Sequence, residues 1–491
     1  MKHINKIVLV ALAATMFNCS QDFENPVEDF QVTKGNADFT KYIALGNSLT
    51  SGYRDNALYR SGQENSYPNI IAGQMKAAGG GEFKIPYMPN DVGGFNNASF
   101  GGLFPGKLEL KIVGGALTPV ATAPGAALDN VAAAGPYQNM GVPGAKSYHL
   151  LAPGYGSQAG IAAGTANPYF FRFSNSATTS VVSQAADQKP TFYSLWIGNN
   201  DVLGYATGGG VGLDHNETGN VAAATYASGD ISNVAVVKNS IAGIAATMKA
   251  GGAKGGVIAN IPSVTAIPYF TTVPATPISG LTDVQVTALM SAQAYGRYNA
   301  GLGQAKAAGL LSDAEYQQRL IKFTAGTAVN GAVILDKDLT NLAALGLPNY
   351  RQTTSKDLIV LTALSLLRQG VGTQTPLEDK YVLTAKETAK AEAAVIKYNA
   401  AIAEIATANN LALVDAYTEM KKLSSVSGIK YYGQTYTTTF VSGGAFSLDG
   451  VHLTGSGYAI VANMFIDAIN RKYQSTLRHV YPGNYPGIAI P

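Results

Sequence analysis

Four short stretches of the sequence combine glycine with side chains that can carry acid–base or nucleophilic chemistry. They read LGNSLTSGY (45–53), NMGVPGAKS (139–147), IGNND (197–201) and FSLDGVHLTGSGY (446–458). Between them they supply a serine hydroxyl, amides, carboxylates and an imidazole, the groups that proton transfer and covalent catalysis use. Predicted strands precede the first and third stretches, and functional groups of open α/β sheets gather at the carboxyl ends of strands. We therefore expect the four stretches to meet at one edge of a sheet.

Each stretch taken singly also has a structural explanation. A serine that opens a helix is commonly an N-cap, and a Gly-Asn-Asn-Asp run commonly forms a turn. An Asp-x-x-His sequence is often a cap beside a hydrogen-bonded histidine. One short motif alone is therefore weak evidence for function.

Together and in this order, the four stretches resemble the four sequence blocks of the SGNH hydrolases, also called the GDSL lipases and esterases. SYPNIIAGQM after the first block and VIANIPS at a later strand are also similar to that family. The matching segments run from about 41 to 475, with long unmatched stretches between them. GGAFSLDGVHLT adds a resemblance to the large lipoprotein members from Bacteroidota. The resemblance implies a three-layer α/β fold and ester hydrolysis that uses no metal or cofactor.

The resemblance also implies a role for each matching residue. Ser48 matches the nucleophile, His452 the base and Asp449 the carboxylate that orients the base. The backbone N–H groups of Ser48 and Gly144 and the side-chain amide of Asn200 match the donors of the oxyanion hole. Such donors contribute roughly 3 kcal/mol each, and the hydroxyl needs the base because serine alone is a poor nucleophile.

Two of these assignments choose between neighbouring residues, and one position departs from the family pattern. The pattern Gly-x-Asn-Asp favours Asn200 over Asn199, and the spacing within the second block favours Gly144 over Gly141. The family's usual Asp before the serine is Asn47 here, which removes a negative charge beside the nucleophile.

The elements that must position these residues follow from hydrophobic periodicity. The predicted strands are KYIALG, TFYSLWIG, GGVIANIPS and LALVDAY. The predicted helices are SYPNIIAGQMKAAG, ISNVAVVKNSIAGIAATMKAGG, KETAKAEAAVIKYNAAIAEIATANN and GYAIVANMFIDAINRKY. Strands that alternate with helices predict an α/β fold with a parallel sheet covered on both faces. Together with the resemblance, this gives a central sheet of about five strands. Gly52 is expected to allow close backbone approach at the turn after the first strand.

The chain is longer than this alternation of strands and helices requires. We predict that the additional residues are insertions into a single domain, 39–475. The insertions lie at about 79–136 and 265–380, and residues 476–491 form a tail. Apolar segments of the second insertion, such as VTALMSAQAYGRY and DLIVLTALSLL, must bury one face. We expect this insertion to wall or lid an acyl pocket, with a remote structural subdomain as the alternative.

The N-terminal residues are typical of a bacterial lipoprotein. Lysines precede an apolar run over residues 7–17, which suits a signal peptide and is too short to span a bilayer. Cys19, the only cysteine of the chain, follows this run and resembles a lipidation site. We expect a signal peptide over 1–18 and an acidic, flexible tether over 19–38. Its SQDFENPVED stretch resembles a surface-export tag, which predicts an outer-membrane protein exposed at the cell surface.

Composition and motifs argue against other classes. The net charge is +3 with 13% charged residues and no Lys/Arg-rich run, so nucleic-acid binding has little electrostatic support. GGLFPGK (101–107) lacks the Ser or Thr of a phosphate loop because Leu108 follows it, and no His/Cys pattern suggests zinc. His149, just after the second block, is interpreted as a structural histidine, with a substrate contact as the alternative.

The sequence thus predicts a lipid-anchored serine ester hydrolase that acts through an acyl-Ser48 intermediate. Its partners would be an ester substrate and the membrane. The alternative is a non-catalytic lipoprotein on the same scaffold that binds lipid or glycan, or docks on an outer-membrane protein. Acylglycerols, phospholipids and acetylated glycans all remain open as substrates.

Overall fold

A computed structural model describes residues 31–96 and 104–491 of the chain. The expected signal peptide, Cys19 and most of the expected tether lie outside the described residues. Among the described residues, no helix has both the length and the apolar character needed to cross a membrane.

The centre of the molecule is a five-stranded parallel sheet. Its strands are β1 (Tyr42–Gly46), β2 (Asn139–Gly141), β3 (Phe192–Trp196), β4 (Gly255–Ala259) and β5 (Ala412–Val414). Their spatial order is β5-β4-β3-β1-β2. Every residue of β1 and β3 is buried, as expected for strands covered on both faces. The predicted α/β class with a parallel sheet is confirmed.

Helices cover the sheet in two layers. They are α1 (Ser48–Ser51), α2 (Tyr67–Ala77), α3 (Val181–Ala186), α4 (Asn200–Thr207), α5 (Val234–Gly251), α6 (Ala385–Ala408) and α7 (Gly455–Tyr473). Helices α2 and α7 pack on each other, and α7 also contacts β4 and β5. Helix α5 packs on α3 and α6, and α6 contacts α4. The sheet, with β3 just before α4 and β5 in contact with α7, therefore lies between the two layers.

Local sequence explains where the longest helix begins and which face it buries. Thr384 and Glu387 form a capping box, in which each side chain accepts from the other residue's backbone N–H. The buried positions of α6 recur three and four residues apart: Ala391, Ala394, Val395, Tyr398, Ile402 and Ile405. This apolar stripe fixes the helix against α5 and the sheet.

The insertions contain secondary structure of their own. In the first, an antiparallel hairpin (Leu108–Val113 with Ala116–Ala121) replaces part of the expected loop. The second insertion contains the helices Pro268–Thr271, Asp283–Leu289, Tyr295–Ala307, Asp313–Arg319 and Leu364–Arg368. Its strands pair as Val333–Leu335 with Tyr350–Gln352, and as Leu358–Ile359 with Val382–Leu383.

Outside the two insertions, the remaining α-helices are Arg60–Glu64, Gln158–Ile161, Pro168–Phe171, His215–Thr218 and Ala416–Leu423. A further hairpin joins Ile429–Tyr431 to Gln434–Tyr436. Short 3-10 helices occupy Ala132–Ala134, Ser147–Leu151, Ala223–Thr225, Ala343–Leu345, Leu361–Ala363, Asp379–Tyr381 and Pro482–Asn484.

The second insertion shares one continuous hydrophobic core with the sheet. Inside it, the buried Arg351 guanidinium donates from Nε to Asp336 (2.6 Å) and from both terminal nitrogens to Asp357 (2.7 and 2.8 Å). A bidentate pair of this kind fixes geometry, and removing one partner would leave an uncompensated buried charge.

The end of the expected tether and the first residues of the C-terminal tail pack near the end of α7. The Thr33 N–H donates to the Thr476 hydroxyl (2.8 Å), and the Asn36 N–H donates to the Tyr473 carbonyl (2.7 Å). Asn463 of α7 donates to the Val480 carbonyl (2.9 Å). Packed structure therefore begins before residue 38 and includes part of the tail.

Candidate active site

The first sequence block forms a tight turn between β1 and α1. The Asn47 side chain caps α1 by accepting from the Leu49 N–H (3.0 Å). Gly52 ends the helix at φ +84, and a Cβ there would lie 2.6 Å from the Gly62 carbonyl, so close backbone approach does require glycine. Ser48 is the first residue of the helix, and its N–H therefore has no acceptor within the helix.

The structure brings Ser48 together with two residues from the other end of the chain. The Ser48 Oγ lies 2.9 Å from the Nε2 of His452. The Nδ1 of His452 lies 2.9 Å from the Oδ2 of Asp449. In this arrangement Nδ1–H donates to the carboxylate while Nε2 faces the hydroxyl, which is the arrangement that lets imidazole take a proton from serine.

Asp449 is held by donors from several segments. Its Oδ1 accepts from the N–H groups of Val451 and His452 (2.8 Å each), and its Oδ2 accepts from the N–H of Asn56 (2.8 Å). The Ser447 hydroxyl also donates to Oδ1 (3.2 Å). Burial opposes ionisation of this carboxyl, but His452 and the backbone donors outweigh it and hold the pKa of Asp449 well below its usual range.

The turn that supplies the Asn56 N–H is a feature that the sequence reasoning missed. Asp55 and Asn56 are consecutive residues at φ +53 and +60. The Asp55 carboxylate accepts from the Tyr59 hydroxyl (2.6 Å), from Nε of Arg54 (2.9 Å) and from the Leu448 N–H (3.0 Å). The available signal was the Asp-Asn pair itself, because these residue types tolerate the left-handed region better than most.

Gly144 and Asn200 lie with Ser48 and His452 along one open cleft. Gly144 adopts φ +79, and within the described part of the chain its N–H donates to no acceptor. One N–H of the Asn200 side chain donates to the Ala145 carbonyl (2.9 Å), which leaves the other for a ligand. Ser48, Gly144 and Asn200 thus line the same cleft, as the donors of an oxyanion hole would have to.

Gly141 and Asn199, the alternatives to Gly144 and Asn200, form hydrogen bonds within the protein. The N–H of Gly141, in β2, donates to the Asn139 side chain (3.0 Å). The Asn199 side chain is buried and accepts from the amide of Asn47 (3.1 Å). Asn47 therefore uses both ends of its amide, one to cap α1 and one to join the first block to the third.

A buried carboxylate joins the second block to the third. Asp201 accepts from the N–H and the hydroxyl of Ser147 (2.7 and 2.9 Å). Burial raises the pKa of Asp201, and the donors from Ser147 oppose that rise. The loop that carries Gly144 is thereby tied to the start of α4.

An apolar pocket opens beside Ser48. Trp196 at the end of β3, Ile460 and Met464 of α7, Met420 of the helix Ala416–Leu423 and Ile429 of the following hairpin are among its walls. The sequence analysis missed both the helix and its position on the pocket.

The expectation that residues 265–380 wall this pocket is wrong except at Ile267, the one residue of that insertion in its lining among the described residues. The insertion is not remote from the site, however. The Tyr269 N–H donates to the carbonyl of Gly450 (2.9 Å), and a Cβ on Gly450 would lie 3.0 Å from Leu361. The insertion therefore supports the loop that carries Asp449 and His452 from outside.

The first insertion instead reaches the open cleft. Phe104 and Pro105 line it together with Tyr53 and Tyr169. Tyr53 also packs on the His452 ring, with centroids 4.7 Å apart. Aromatic groups thus shape the approach to Ser48.

Comparisons with known proteins do not add to this geometry. No protein-family model matches the chain, and a search of curated proteins finds no match either. Within the described residues, no three His, Cys, Asp or Glu side chains are grouped so that they could hold a metal ion.

Proposed function

We propose that this protein is a serine hydrolase of carboxylic esters. The observation that supports the proposal is the hydrogen-bonded series Ser48–His452–Asp449, with distances of 2.9 Å at both steps. The resemblance of the four sequence blocks to SGNH hydrolases supports the same activity.

In the proposed reaction, the Ser48 Oγ attacks the ester carbonyl while His452 takes its proton. The negative oxygen of the tetrahedral intermediate is stabilised by the N–H groups of Ser48 and Gly144 and by the Asn200 amide. When the ester C–O bond breaks, His452 returns the proton to the departing alcohol. A water molecule, activated by the same imidazole, then hydrolyses acyl-Ser48 and releases a carboxylic acid.

The apolar pocket beside Ser48 supports an aliphatic acyl group as the acid part of the substrate. Most of its lining consists of aliphatic, aromatic and thioether side chains. The polar side chains in the lining are Asn47, Ser48, Asn199, Asn200, Ser263, Glu419 and His452. Each CH₂ buried there would contribute up to about 0.8 kcal/mol, so kcat/KM would rise several-fold per two-carbon step.

Hydrolysis of p-nitrophenyl esters of graded chain length tests both statements. Ser48→Ala is expected to lower the rate by roughly a million-fold, with Ser427→Ala on an exposed loop as the matched control. A fluorophosphonate is expected to label Ser48 covalently, as located by mass spectrometry of peptides.

Near-normal hydrolysis by Ser48→Ala would contradict the assigned nucleophile. A wild-type protein that hydrolyses none of the esters and is not labelled would favour the alternative, a non-catalytic lipoprotein that binds lipid or glycan. A rate that peaks at acetyl and falls steeply would contradict the acyl pocket but not the hydrolase.

A further inference from the structure

A second cleft begins at Gly144 and Asn200, and it shares Asn200 and Leu203 with the lining of the apolar pocket. The lining of the second cleft also includes Tyr148, His149 and Tyr226. Because it starts at two of the groups assigned to the oxyanion, a molecule whose ester carbonyl binds at Ser48 can extend into it. We call Tyr148, His149 and Tyr226 the tyrosine–histidine cluster.

Aromatic packing holds this cluster in place. The His149 ring stacks on Tyr155, with centroids 4.6 Å apart and planes 17° from parallel, and meets Tyr148 edge-on at 4.4 Å. Tyr226 stacks on His215 at 3.9 Å, and its hydroxyl donates to the Asn220 carbonyl (2.6 Å). The rings therefore form a preformed surface and need no rearrangement to meet a ligand.

His149 presents a neutral N–H donor to the cleft. Its Nδ1 accepts from the Lys146 N–H (3.1 Å), so the ring proton is on Nε2. Burial, and then the charge of Lys146, lower the pKa of His149 to about 4. Within the described part of the chain, neither this Nε2 nor the Tyr148 hydroxyl has a hydrogen-bond partner.

Charge at the cleft does not favour an ionic ligand. The Lys146 ammonium is already bonded to the carbonyls of Ala227 and Asp230 (3.3 and 3.0 Å) and holds the loop that carries Tyr226. Among the described residues that line the cleft there is no carboxylate. Aromatic faces with neutral donors and acceptors suit a polyhydroxylated, uncharged group.

We propose that the tyrosine–histidine cluster binds the alcohol part of the ester, and that this alcohol is a neutral polyol such as a sugar. The inference rests on the proposed ester hydrolysis and names its substrate class: an acyl chain in the apolar pocket, joined through the scissile C–O bond to a hydroxyl of a glycosyl group. On cleavage, the sugar oxygen takes its proton from His452, and water supplies the hydroxyl of the released acid.

The test compares three octanoyl esters with the same acyl chain, those of glucose, methanol and p-nitrophenol. Wild-type protein is expected to show a kcat/KM for octanoyl-glucose at least about tenfold above that for methyl octanoate. In His149→Phe and in Tyr148→Leu this ratio is expected to fall about tenfold, because Phe keeps a ring against Tyr155 but has no N–H donor, and Leu removes a ring face and its hydroxyl. His479→Phe, at a histidine on the protein surface, is the matched control, and circular dichroism verifies folding.

If kcat/KM for octanoyl-glucose and for methyl octanoate were nearly equal in wild-type protein, the proposal would be overturned. It would also be overturned if their ratio stayed unchanged in both variants while these remained folded. These outcomes differ from failure of the proposed function, in which p-nitrophenyl octanoate would not be hydrolysed at all. In that case, saturation-transfer NMR with octanoyl-glucose decides whether the cluster binds the sugar. Sugar-proton signals that weaken in His149→Phe support the cleft, and their absence in wild-type protein overturns it.

Discussion

Asp449 receives hydrogen bonds from its own loop and from the turn at residue 56, which lies almost four hundred positions earlier in the chain. That turn places two consecutive non-glycine residues in the left-handed region, which costs on the order of 1 kcal/mol or more at each. The Asp55 carboxylate, with three donors, compensates for this cost. At the scale of residues, the orientation of Asp449, and through it that of His452, therefore depends on a turn outside the four sequence blocks.

The depressed pKa of Asp449 predicts how stability depends on pH. A carboxyl whose pKa is lower in the folded than in the unfolded state stabilises the fold above the unfolded pKa, about 3.9. This contribution is lost as the pH falls from about 4 through the lower, folded-state pKa. In Asp449→Asn the free energy of unfolding is expected to fall less over that range. Urea titrations between pH 2.5 and 6 measure it, and identical pH slopes for the two proteins would contradict the depressed pKa.

Asn200 gives a second prediction at the scale of residues. Asn200→Ala is expected to lower kcat by roughly a hundred- to a thousand-fold with little change in KM, because its free N–H would act mainly in the transition state. Asn199→Ala is the comparison, since Asn199 is already bonded to Asn47. Steady-state kinetics with a p-nitrophenyl ester decide between them. A larger loss of kcat in Asn199→Ala would assign the donor to that residue instead.

At the scale of elements, the helix Ala416–Leu423 connects the sheet to the pocket. It begins two residues after β5 ends, and the Asp415 side chain caps it by accepting from the Thr418 N–H (3.1 Å). This places Met420 and Leu423 in the lining of the apolar pocket, across from α7. The helix therefore forms one wall of the pocket, which the large insertion reaches at Ile267.

Met420→Trp tests that conclusion. The larger side chain is expected to narrow the pocket. Octanoyl exceeds butanoyl by two steps of two carbons, and if their binding is lost, the ratio of kcat/KM for octanoyl to butanoyl esters falls about tenfold or more. Lys421→Trp, on the exposed side of the same helix, is the control. An unchanged ratio in the Met420 variant would mean that acyl chains bind elsewhere.

At the scale of the whole molecule, the two ends of the described chain lie at opposite ends of α7. Residues 33–36 pack near its last residues, whereas in the C-terminal tail the Tyr485 carbonyl accepts from the hydroxyl of Ser456, in the first turn of α7 (2.9 Å). Among the described residues no helix could cross a membrane. The proposed lipid anchor at Cys19 lies outside the described residues.

Cys19→Ala is expected to release the protein from membranes, because the variant would lack the thiol that lipid modification requires. Ser20→Ala, at the next residue, is the control. Fractionation of cells that express each variant, followed by a salt wash, provides the measurement. If the Cys19 variant stayed tightly bound to membranes, docking on a membrane protein would explain the association better.

The sequence by itself determined the fold class and pointed to the residues that meet at the site. Alternation of strand and helix periods depends on local burial and is visible in the chain, and the four blocks contain the groups that lie around Ser48. The sequence offered Gly141 beside Gly144 and Asn199 beside Asn200 as donors for the oxyanion. Only the tertiary structure showed that Gly141 and Asn199 already form hydrogen bonds within the protein. Contacts that depend on the folded chain leave no local pattern in the sequence.

The walls of the site depended on the tertiary structure in the same way. An apolar segment must bury its face, but the sequence does not say against what. The insertion 265–380 therefore suggested a lid, although it joins the main core and reaches the pocket only at Ile267. The helix at 416–423 and the turn at 55–56 are local in sequence, yet each acts through contacts with segments tens to hundreds of residues away. The tyrosine–histidine cluster joins Tyr148 and His149 to Tyr226 from a different segment. Such contacts arise from packing of the whole chain, which is why the sequence predicted the chemistry of the site better than its shape.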